Sequence, residues 1–573
     1  MSDSCLRRLA WIAASLLVAG CCRRSHHHHG GSNSPVVGTS DPPEVTVGER
    51  LFLETRFAQF FATHLVGNDV NAPLAAGDPT METIVKADGT TLPGPFAGQS
   101  VNCRHCHLVD ELDMVSGGGI RTYGDFGRRA PIPDRYDGRS TTPRNTPPLV
   151  NASLARSTDF FLHYDGEFVT TEELVRASLT GRNLGWRADE AAAASAHIAR
   201  VIRDDNGKGT LAADFGGLSY RDTFGAAASV PAKFKLPAGF QLNVATATDQ
   251  EILDAIARLI KAYLDSLEFA RDANGEFNGS PFDLFLKKNG LPRKPDPGEH
   301  PLAYSRRLRG LVDAIATPKF VTPADGSFVH HAQSFAFGAE ELAGLKIFLQ
   351  EPSALPPTAY ELAVGGIGNC VVCHYGPELT DFEFHNVGTA QAEYEEIHGG
   401  GSFACIDVPS LSKRNRKPKK YLPPSAAEPD AESIFLRVPV KHDDRYTDLG
   451  LWNVFANPNV PAPQDALREL IGRLNGLDPD DCDDDDDDED LLPLTIGLFK
   501  TPGLRDLADG APYMHTGQFD QIEDVISHYV FEADQARDDR VVNGDPQLAG
   551  IALHSADVAA LAAFLRSLNE DYD

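Results

Sequence analysis

Residues 103–107 read Cys-Arg-His-Cys-His, and residues 370–374 repeat the spacing as Cys-Val-Val-Cys-His. In such a motif the two thiols add to the vinyl groups of a haem, and the adjoining imidazole becomes an iron ligand. A zinc site or a redox dithiol would not need a histidine directly after the second cysteine in both copies. The sequence therefore predicts two covalently bound haem c groups, held by Cys103, Cys106, His107, Cys370, Cys373 and His374.

The length and charge of the chain narrow its class. A chain of 573 residues with 42% apolar residues can build several domains with buried cores. Its net charge of −30 argues against a nucleic-acid partner, because a phosphate backbone selects clusters of Lys and Arg. An acidic surface would suit a basic redox partner, although it also simply keeps a protein soluble.

The N-terminus has the pattern of an export signal. Arg7 and Arg8 precede the apolar residues 9–18, and the segment is too short to remain as a membrane span, so we expect a signal peptide over residues 1–20. Residues 18–21 look like a bacterial lipobox, in which Cys21 is acylated and becomes the mature N-terminus. The alternative is an ordinary cleaved signal with an incidental cysteine. Either reading places the protein in the cell envelope, in the periplasm. In the lipobox reading the lipid on Cys21 is the expected membrane contact.

Helical periodicity dominates the chain beyond residue 48. Residues 249–270 and 339–349 predict helices, and Ser555 predicts the N-cap of a last one. The expected apolar faces consist of Ile252, Ile256, Leu259, Ile260, Tyr263 and Leu267 in the first helix and Val558, Leu561, Leu565 and Leu568 in the last. We therefore expect a mainly α protein with two cytochrome c-like haem domains, long loops and insertions.

Turn-rich composition sets the expected domain boundaries. After the signal peptide we expect a flexible linker over 21–46, an N-terminal haem domain over 47–289 and a C-terminal haem domain over 290–573. Residues 290–335, 350–365 and 415–435 have the composition of loop insertions. The acidic run 480–490 predicts a solvated loop. Calcium binding is the weaker alternative, because no twelve-residue loop with a central glycine surrounds the run. We expect a disulfide between Cys405 and Cys482, because disulfides form and persist in an oxidising compartment.

Short motifs around the two haem motifs resemble those of the bacterial di-haem cytochrome c peroxidases and their MauG-type relatives. They are Pro-Arg-Asn at 143–145 with Asn-Ala at 151–152, Tyr-Asp-Gly at 164–166, Ser-Pro-Phe-Asp at 280–283, Ala-Gly-Leu-Lys at 343–346, Lys-Thr-Pro-Gly-Leu-Arg at 500–505 and Ala-Pro-Tyr-Met-His-Thr-Gly at 511–517. The resemblance implies an enzyme that reduces hydrogen peroxide at the N-terminal haem. It also implies that the C-terminal haem exchanges electrons with a redox partner protein.

The resemblance directs attention to the open face of the first haem. In many relatives a histidine in the loop after the first motif closes this face, but no histidine lies between His107 and His163 here. We therefore expect an open coordination position for peroxide, with Met114, Tyr123 and Tyr136 as the residues that would otherwise close it.

The family uses a glutamate to move a proton between the peroxide oxygens, and its position in this chain is ambiguous. Ungapped counting from Tyr164 reaches Leu184, which has no proton to give. We take Glu190 as the candidate catalytic acid. The other ionisable side chains nearby remain candidates: Glu172, Glu173, Asp189 and His163.

The second haem departs from the peroxidases. They supply a methionine ligand fourteen residues after the histidine of Pro-Tyr-x-His, whereas counting from His515 reaches Tyr529, and MauG-type proteins also have tyrosine there. A phenolate is a hard anionic donor that stabilises high oxidation states of iron. Tyr529 is thus the expected distal ligand of the second haem. Met514 is the competing ligand by residue type. Alternatively, Tyr529 is a core aromatic residue on the helix 521–530 and does not bind iron.

Two further roles are implied by the resemblance. Tyr164 stands where the family has a tryptophan that relays electrons between the haems, and its alternative is a buried aromatic with a hydrogen-bonded hydroxyl. The family's calcium ion would be held by Asn145 and the carbonyls of Gly510 and Pro512.

The sequence thus favours an exported di-haem peroxidase of the MauG-like branch, in which the two haems share an oxidised state. One alternative is a conventional cytochrome c peroxidase that detoxifies peroxide with electrons from a small cytochrome. The other is a di-haem electron carrier without enzymatic activity.

Overall fold

Helices joined by loops make up most of the protein, which confirms the mainly α prediction. The computed structural model describes residues 41–85, 91–93, 97–107, 130–154, 160–329, 331–477, 488–508 and 510–571. Within these residues the α-helices are α1 Pro43–Phe52, α2 Gln59–Thr63, α3 Pro79–Glu82, α4 Cys103–Cys106, α5 Thr171–Thr180, α6 Ala191–Asp204, α7 Thr210–Asp214, α8 Tyr220–Phe224, α9 Asp249–Ser266, α10 Pro281–Lys288, α11 Pro301–Asp313, α12 Ala339–Phe348, α13 Ala359–Val364, α14 Thr389–His398, α15 Leu411–Asn415, α16 Pro418–Tyr421, α17 Gln464–Leu474, α18 Asp488–Leu491, α19 Ile522–Arg537 and α20 Ser555–Arg566.

The strands are short and form two antiparallel pairs. Strand β1 (Thr83–Val85) pairs with β2 (Thr91–Pro93), and β3 (Phe384–His385) pairs with β4 (Phe499–Lys500). In the second pair Phe384 lies opposite Lys500. This pair joins the chain just after the second haem motif to the motif at 500–505.

Helix α9 is the centre of the N-terminal core. It begins with a capping box, in which Thr248 Oγ1 accepts a hydrogen bond from the Glu251 N–H at 3.2 Å and the Glu251 carboxylate accepts one from the Thr248 N–H at 2.7 Å. The predicted apolar face is buried, although the helix ends at Ser266, four residues before the predicted end. Helix α1 packs on α9 closely enough that a Cβ at Gly48 would lie 2.1 Å from the Leu259 carbonyl oxygen.

Helices α12 and α20 form the corresponding pair in the C-terminal half. A Cβ at Gly344 would lie 1.9 Å from the carbonyl oxygen of Ala560, so only glycine permits this approach. The predicted cap of α20 is wrong by one residue. His554 is the N-cap, and its N–H donates to the Asp557 carboxylate at 2.8 Å, while Ser555 is the first helical residue.

Two other sequence expectations differ from the structure. Residues 290–335 are not all loop, because α11 lies within them and buries Tyr304, Leu308 and Val312 at four-residue spacing. The other two expected insertions contain the short helices α13 and α16. Helix α1 begins at Pro43, within the expected linker, because a proline is well suited to the first helical position.

The described apolar residues pack in three clusters. The first runs from Val47 to Phe277, and the second from Phe282 to Leu568. The third combines Phe161 with residues 384–498 and centres on Trp452. The residues described from position 41 onward belong to one compact unit, and the boundary expected at 289–290 stays a prediction. None of the described helices is both long and apolar enough to cross a membrane.

A buried carboxyl group near the C-terminus links the first and second clusters. Glu570 is 1% exposed, and its Oε1 accepts a hydrogen bond from the Ala270 N–H at 2.7 Å. Burial raises the pKa of Glu570 from its usual value near 4.5 to about 7, and the neighbouring Arg505 only partly opposes this rise. The folded protein therefore binds the Glu570 proton more tightly than the unfolded chain does.

Glu570→Gln is expected to gain stability over the wild type as pH rises. Because the folded pKa lies above the unfolded one, the wild type is most stable below the unfolded pKa and loses stability as pH rises towards 7 and beyond. The amide keeps an oxygen for Ala270 and has no charge to desolvate. Between pH 5 and pH 8 the difference in unfolding free energy should shift by on the order of 1–3 kcal/mol in favour of the variant.

Denaturant unfolding at several pH values measures this difference. Glu340→Gln is the matched control, since Glu340 is exposed and should show no such trend. A difference for Glu570→Gln that does not change with pH would contradict the prediction.

Candidate haem sites

The first haem motif forms a single helical turn, α4. Asn102 caps it, since its Oδ1 accepts a hydrogen bond from the His105 N–H at 3.0 Å and its Nδ2 donates to the Leu53 carbonyl at 2.9 Å. Burial raises the pKa of both Cys103 and Cys106 to about 12. This environment favours uncharged sulfur, as in a haem thioether, over the thiolates that a zinc site requires.

The second haem motif is a 3₁₀ turn, Cys370–Val372. Asn369 precedes it in the left-handed conformation, with φ of 50°, and its Nδ2 donates to the Gln547 carbonyl at 3.0 Å. Burial raises the pKa of Cys370 to about 12 and also raises that of Cys373. The same preference for uncharged sulfur therefore holds in both motifs.

Backbone carbonyls orient both predicted iron-ligating imidazoles. Nδ1 of His374 lies 3.0 Å from the Leu379 carbonyl oxygen, and the Pro502 carbonyl also bonds this imidazole. The carbonyl of Pro147 bonds the imidazole of His107. Burial lowers the pKa of His107 to about 4 and that of His374 below its usual value, which favours the neutral ligand form. The residues of both motifs therefore fit a covalently bound haem.

Tyr529 lies beside the second motif. Its ring packs in the second apolar cluster, which also includes Cys370 and Val372. Burial and then the sulfur atoms of Cys373 and Cys370 raise the pKa of its hydroxyl well above the usual value. Helix α19 thus brings Tyr529 to the neighbourhood that a distal ligand requires, and iron ligation itself stays a prediction.

A histidine held by two carboxylates also lies at the second motif, and sequence reasoning missed it. Nε2 of His385 lies 2.8 Å from the Asp381 carboxylate, and Nδ1 lies 2.5 Å from that of Asp545. Burial disfavours its charge, but the Cys373 sulfur and the two carboxylates outweigh burial and raise the pKa of His385 well above its usual value. The i, i+4 spacing of Asp381 and His385 was a weak signal, whereas Asp545 lies 160 residues away.

Ion pairs join the Pro-Arg-Asn and Tyr-Asp-Gly motifs in the folded chain. Arg144 binds the Asp448 carboxylate through two nitrogens, at 2.6 and 2.9 Å, and also pairs with Asp165. Both carboxylates are buried, with side-chain exposures of 2% and 5%. Asp448 belongs to none of the sequence motifs, so its role was not predictable from them.

Backbone hydrogen bonds add the late motifs to the same cluster. The Asn145 N–H donates to the His515 carbonyl at 2.7 Å, and the Lys500 N–H donates to the Tyr164 carbonyl at 2.8 Å. Phe499 stacks on the His515 ring, with centroids 3.9 Å apart. Burial raises the pKa of the Tyr164 hydroxyl well above its usual value. Tyr164 therefore lies where chain segments from both halves meet.

Two of the three predicted calcium ligands are neighbours. The Asn145 side chain is buried, and its Nδ2 donates to the Pro512 carbonyl at 2.6 Å. Calcium takes oxygen ligands. A calcium ion bound by Asn145 and Pro512 would therefore require the side-chain amide of Asn145 to be flipped, so that its oxygen rather than its nitrogen lies toward the Pro512 carbonyl. Gly510 lies two residues before Pro512 in the chain, and the calcium site stays a prediction.

The surroundings of Glu190 are those of a structural ion pair. Its carboxylate accepts hydrogen bonds from the Arg135 guanidinium at 2.6 and 2.8 Å and from the Arg187 N–H at 2.9 Å. The bonds from Arg135 hold the pKa of Glu190 below its usual value. A proton-transferring group works best with a pKa near the operating pH, so this geometry argues against Glu190 as the acid.

Among the other acid candidates, His163 lies within electrostatic reach of His107 in the first haem motif. The charge of His163 acts on the pKa of His107, and its Nδ1 lies 3.2 Å from the Glu167 carboxylate. His163 and Glu167 are each about one-third exposed. Glu172, Glu173 and Asp189 stay predictions for the acid as well.

Several predicted residues do not bear on the described sites. Tyr136 is 97% exposed, so the expectation that it is one of the residues able to close the first haem is wrong. Met114, Tyr123, Cys21, Cys482 and most of the acidic run 480–490 lie outside the described residues.

Comparison with known proteins gives one sequence relative and several similar folds. No protein-family model matches the chain. Cytochrome-c peroxidase IdrP2 from Pseudomonas sp. (strain SCT) is 37% identical over 76 residues, which are 13% of this chain and 18% of that protein. Because the match spans less than a fifth of the relative's length, its activity enters below only as a proposal.

Two solved structures follow most of the chain at low identity. The diheme peroxidase BthA from Burkholderia thailandensis E264 has a TM-score of 0.39 and 16% identity, over 93% of this chain and 87% of its own. A MauG-like protein associated with microbial copper homeostasis also has a TM-score of 0.39 and 16% identity, over 94% and 92%. We draw no conclusion about activity from these two likenesses.

Proposed function

We propose that this protein is an exported di-haem c-type peroxidase of the MauG-like branch. It reduces hydrogen peroxide at the N-terminal haem and exchanges oxidising equivalents with a redox partner protein through the C-terminal haem. The observation that carries the proposal is the paired motif geometry. In each motif the two cysteines favour uncharged sulfur, and a backbone carbonyl bonds the imidazole. A lipid on Cys21 and a location in the periplasm belong to the same proposal.

The residues around the two motifs have different roles in the proposed reaction. A bound haem would supply the redox-active iron that takes oxidising equivalents from peroxide. The Pro147 carbonyl orients His107. Tyr164 and Lys500 connect the halves through their backbone hydrogen bond, which supports Tyr164 as the relay residue.

Tyr529 sets the character of the second site. Burial keeps its hydroxyl protonated unless a cation lies beside it. As a phenolate it would favour the oxidised state and suit a site that stores an oxidising equivalent. Asn145 and Pro512, with Gly510, would hold a calcium ion that ties the Pro-Arg-Asn loop to the loop before His515.

Optical and EPR spectra of the ferric protein, recorded before and after addition of peroxide, test the proposal. We expect one high-spin haem at the open first site, one low-spin haem at the second, and a spectral change of both on adding peroxide. Tyr529→Met is expected to raise the reduction potential of the second haem by on the order of 100 mV, because a thioether favours Fe(II). Tyr136→Met is the control, since that side chain is exposed and should leave both signals unchanged.

Other outcomes would overturn specific parts. Two low-spin haems that do not respond to peroxide would leave only the di-haem electron carrier. An unchanged second haem in Tyr529→Met would remove the ligand assignment. The name of the matched relative favours the second candidate, a conventional cytochrome c peroxidase. That candidate requires rapid, peroxide-dependent oxidation of a small reduced cytochrome c.

A further inference from the structure

A short hairpin at residues 162–168 brings together three side chains of the kinds that bind metal ions. A backbone hydrogen bond of 2.8 Å between its first and last residues closes the hairpin. The donor atoms of His163, Asp165 and Glu167 all lie within 4.8 Å of one another. Metal–ligand distances of about 2.0–2.6 Å put the ligands of one ion at most about 4–5 Å apart. These three side chains are therefore close enough to bind a single ion.

The packing of the hairpin positions these side chains. Gly166 has a φ of 70°, and a Cβ there would lie 2.9 Å from the Phe384 ring, which favours glycine. The His163 ring packs edge-on against Phe168, with centroids 5.0 Å apart, and its Nδ1 lies 3.2 Å from the Glu167 carboxylate. The hairpin thus holds its side chains near one another before any ion binds.

Asp165 has a buried carboxylate oxygen without a partner. Its side chain is 5% exposed, and its Oδ1 accepts no hydrogen bond within the part of the chain that the structure describes. Burial raises the pKa of Asp165, and Arg144 does not offset this rise. A buried oxygen of this kind calls for an ion or a water molecule. Because a divalent ion is smaller than a water molecule, it can bind an oxygen that has no surface open to water.

The charges around Asp165 favour a doubly charged cation. Asp448 already binds Arg144 through two nitrogens, at 2.6 and 2.9 Å, while Asp165 pairs with the third nitrogen. Glu167 adds another carboxylate, whose charge acts on Asp165. One guanidinium therefore serves three carboxylates in this set, and an ion of charge +2 would balance the remaining two.

The donor atoms select the kind of ion. Oxygen ligands alone would suit Ca²⁺ or Mg²⁺, whereas an imidazole suits Zn²⁺ and other divalent transition metals. His163 and Glu167 are each about one-third exposed, so an ion can reach them from solvent. A second cluster in the described residues includes Cys373, whose sulfur is the predicted attachment point of the second haem and is not a free donor.

We propose that His163, Asp165 and Glu167 bind one divalent transition-metal ion of the Zn²⁺ type. The ion ties the hairpin, and with it Tyr164, to the ion pairs of Arg144. It gives His163 and Glu167 a role other than proton transfer. The site does not depend on whether the haems react with peroxide.

Equilibrium dialysis of the holoprotein against Zn²⁺, followed by metal analysis per chain, tests the site. Residues 26–29 are four consecutive histidines that would also bind zinc, so the measurement uses a background chain in which all four are serine. We expect one tightly bound zinc ion per background chain. His163→Ala and Glu167→Gln should each weaken its binding at least about tenfold, because each removes one of three ligands.

Matched variants and a competing ion make the result specific. His64→Ala and Glu340→Gln remove an exposed histidine and an exposed glutamate outside the cluster, and they should leave zinc binding unchanged. Excess Ca²⁺ should not displace the zinc, because calcium takes oxygen ligands. Unchanged far-UV circular dichroism shows that the two ligand variants are folded.

The results separate the metal site from the enzymatic proposal. No tightly bound zinc in the background chain, or zinc that binds equally well to both ligand variants, would overturn the site. Displacement of the zinc by calcium would overturn the choice of a transition metal. If zinc binds as expected but the haems ignore peroxide, the peroxidase proposal fails while the site stands. If peroxide reacts but zinc does not bind, the reverse holds.

Discussion

Replacing Cys103 and Cys106 together with alanine is expected to reduce the covalently bound haem from two per chain to one and to abolish reduction of peroxide. The two thiols are the predicted attachment points of the first haem, and no other Cys-x-x-Cys-His motif exists in the chain apart from residues 370–374. A haem held only by His107 would be lost on denaturation. Haem staining after denaturing electrophoresis and quantification of haem per chain measure the change.

Matched variants make this result specific. Cys370→Ala combined with Cys373→Ala should also leave one covalent haem, but the remaining one belongs to the first site and keeps its reaction with peroxide. Cys405→Ala should retain two haems, because Cys405 is exposed and belongs to neither motif. Two covalent haems in the Cys103 and Cys106 double variant, or none in the wild type, would contradict the assignment of the motifs.

Arg144→Leu is expected to destabilise the protein by on the order of 3–5 kcal/mol. The change leaves Asp165 and Asp448 buried without the guanidinium that compensates them. Burial works against both carboxylates, and it raises the pKa of Asp165, while Arg144 holds the pKa of Asp448 below its usual value. A partner removed from a buried pair costs far more than a surface ion pair contributes.

Denaturant unfolding of the holoprotein measures the effect, and the chain offers two informative controls. Arg176→Leu removes a surface pair with Asp254, whose side chains are 31% and 36% exposed, and should cost less than about 1 kcal/mol. Arg144→Lys keeps the charge but cannot bind Asp448 through two nitrogens, so it should fall between the two. A loss for Arg144→Leu as small as that of the surface control would contradict the prediction.

Arg144→Leu also has a kinetic readout at the junction of the two halves. The ion pairs of Arg144 lie beside Phe499 and His515, and the adjacent Asn145 bonds the backbone of His515. Looser packing there should slow electron exchange between the haems, measured by rapid-mixing spectroscopy after addition of peroxide. The surface control should leave this rate unchanged.

Local chemistry explains what could be predicted from the sequence. The haem motifs place their reactive groups within five residues, so neither depends on distant packing to be recognised. The apolar faces of α9 and α20 follow from three-to-four spacing, and the capping box that begins α9 lies within four residues. Tyr529 was found by its distance from a motif, and α19 places it beside Cys370.

Helix α11 shows where local reading failed. Its three buried residues are spaced four apart, but arginines and turn residues around them give the segment the composition of a loop. The apolar face of α11 is stabilised by packing in the second cluster rather than by intrinsic helix propensity. A helix of such polar composition is decided by its tertiary neighbours.

The amino-acid sequence by itself determined the mainly helical fold, and its two Cys-x-x-Cys-His motifs predicted where haem would be bound. Only the tertiary structure decided that Asp448 binds Arg144 across 304 residues. It also decided that Asp545 forms a hydrogen bond with His385 and that Arg135 forms an ion pair with Glu190. The physical reason is that motifs and helical periods are properties of neighbouring residues, whereas ion pairs and cavities depend on which distant surfaces pack together.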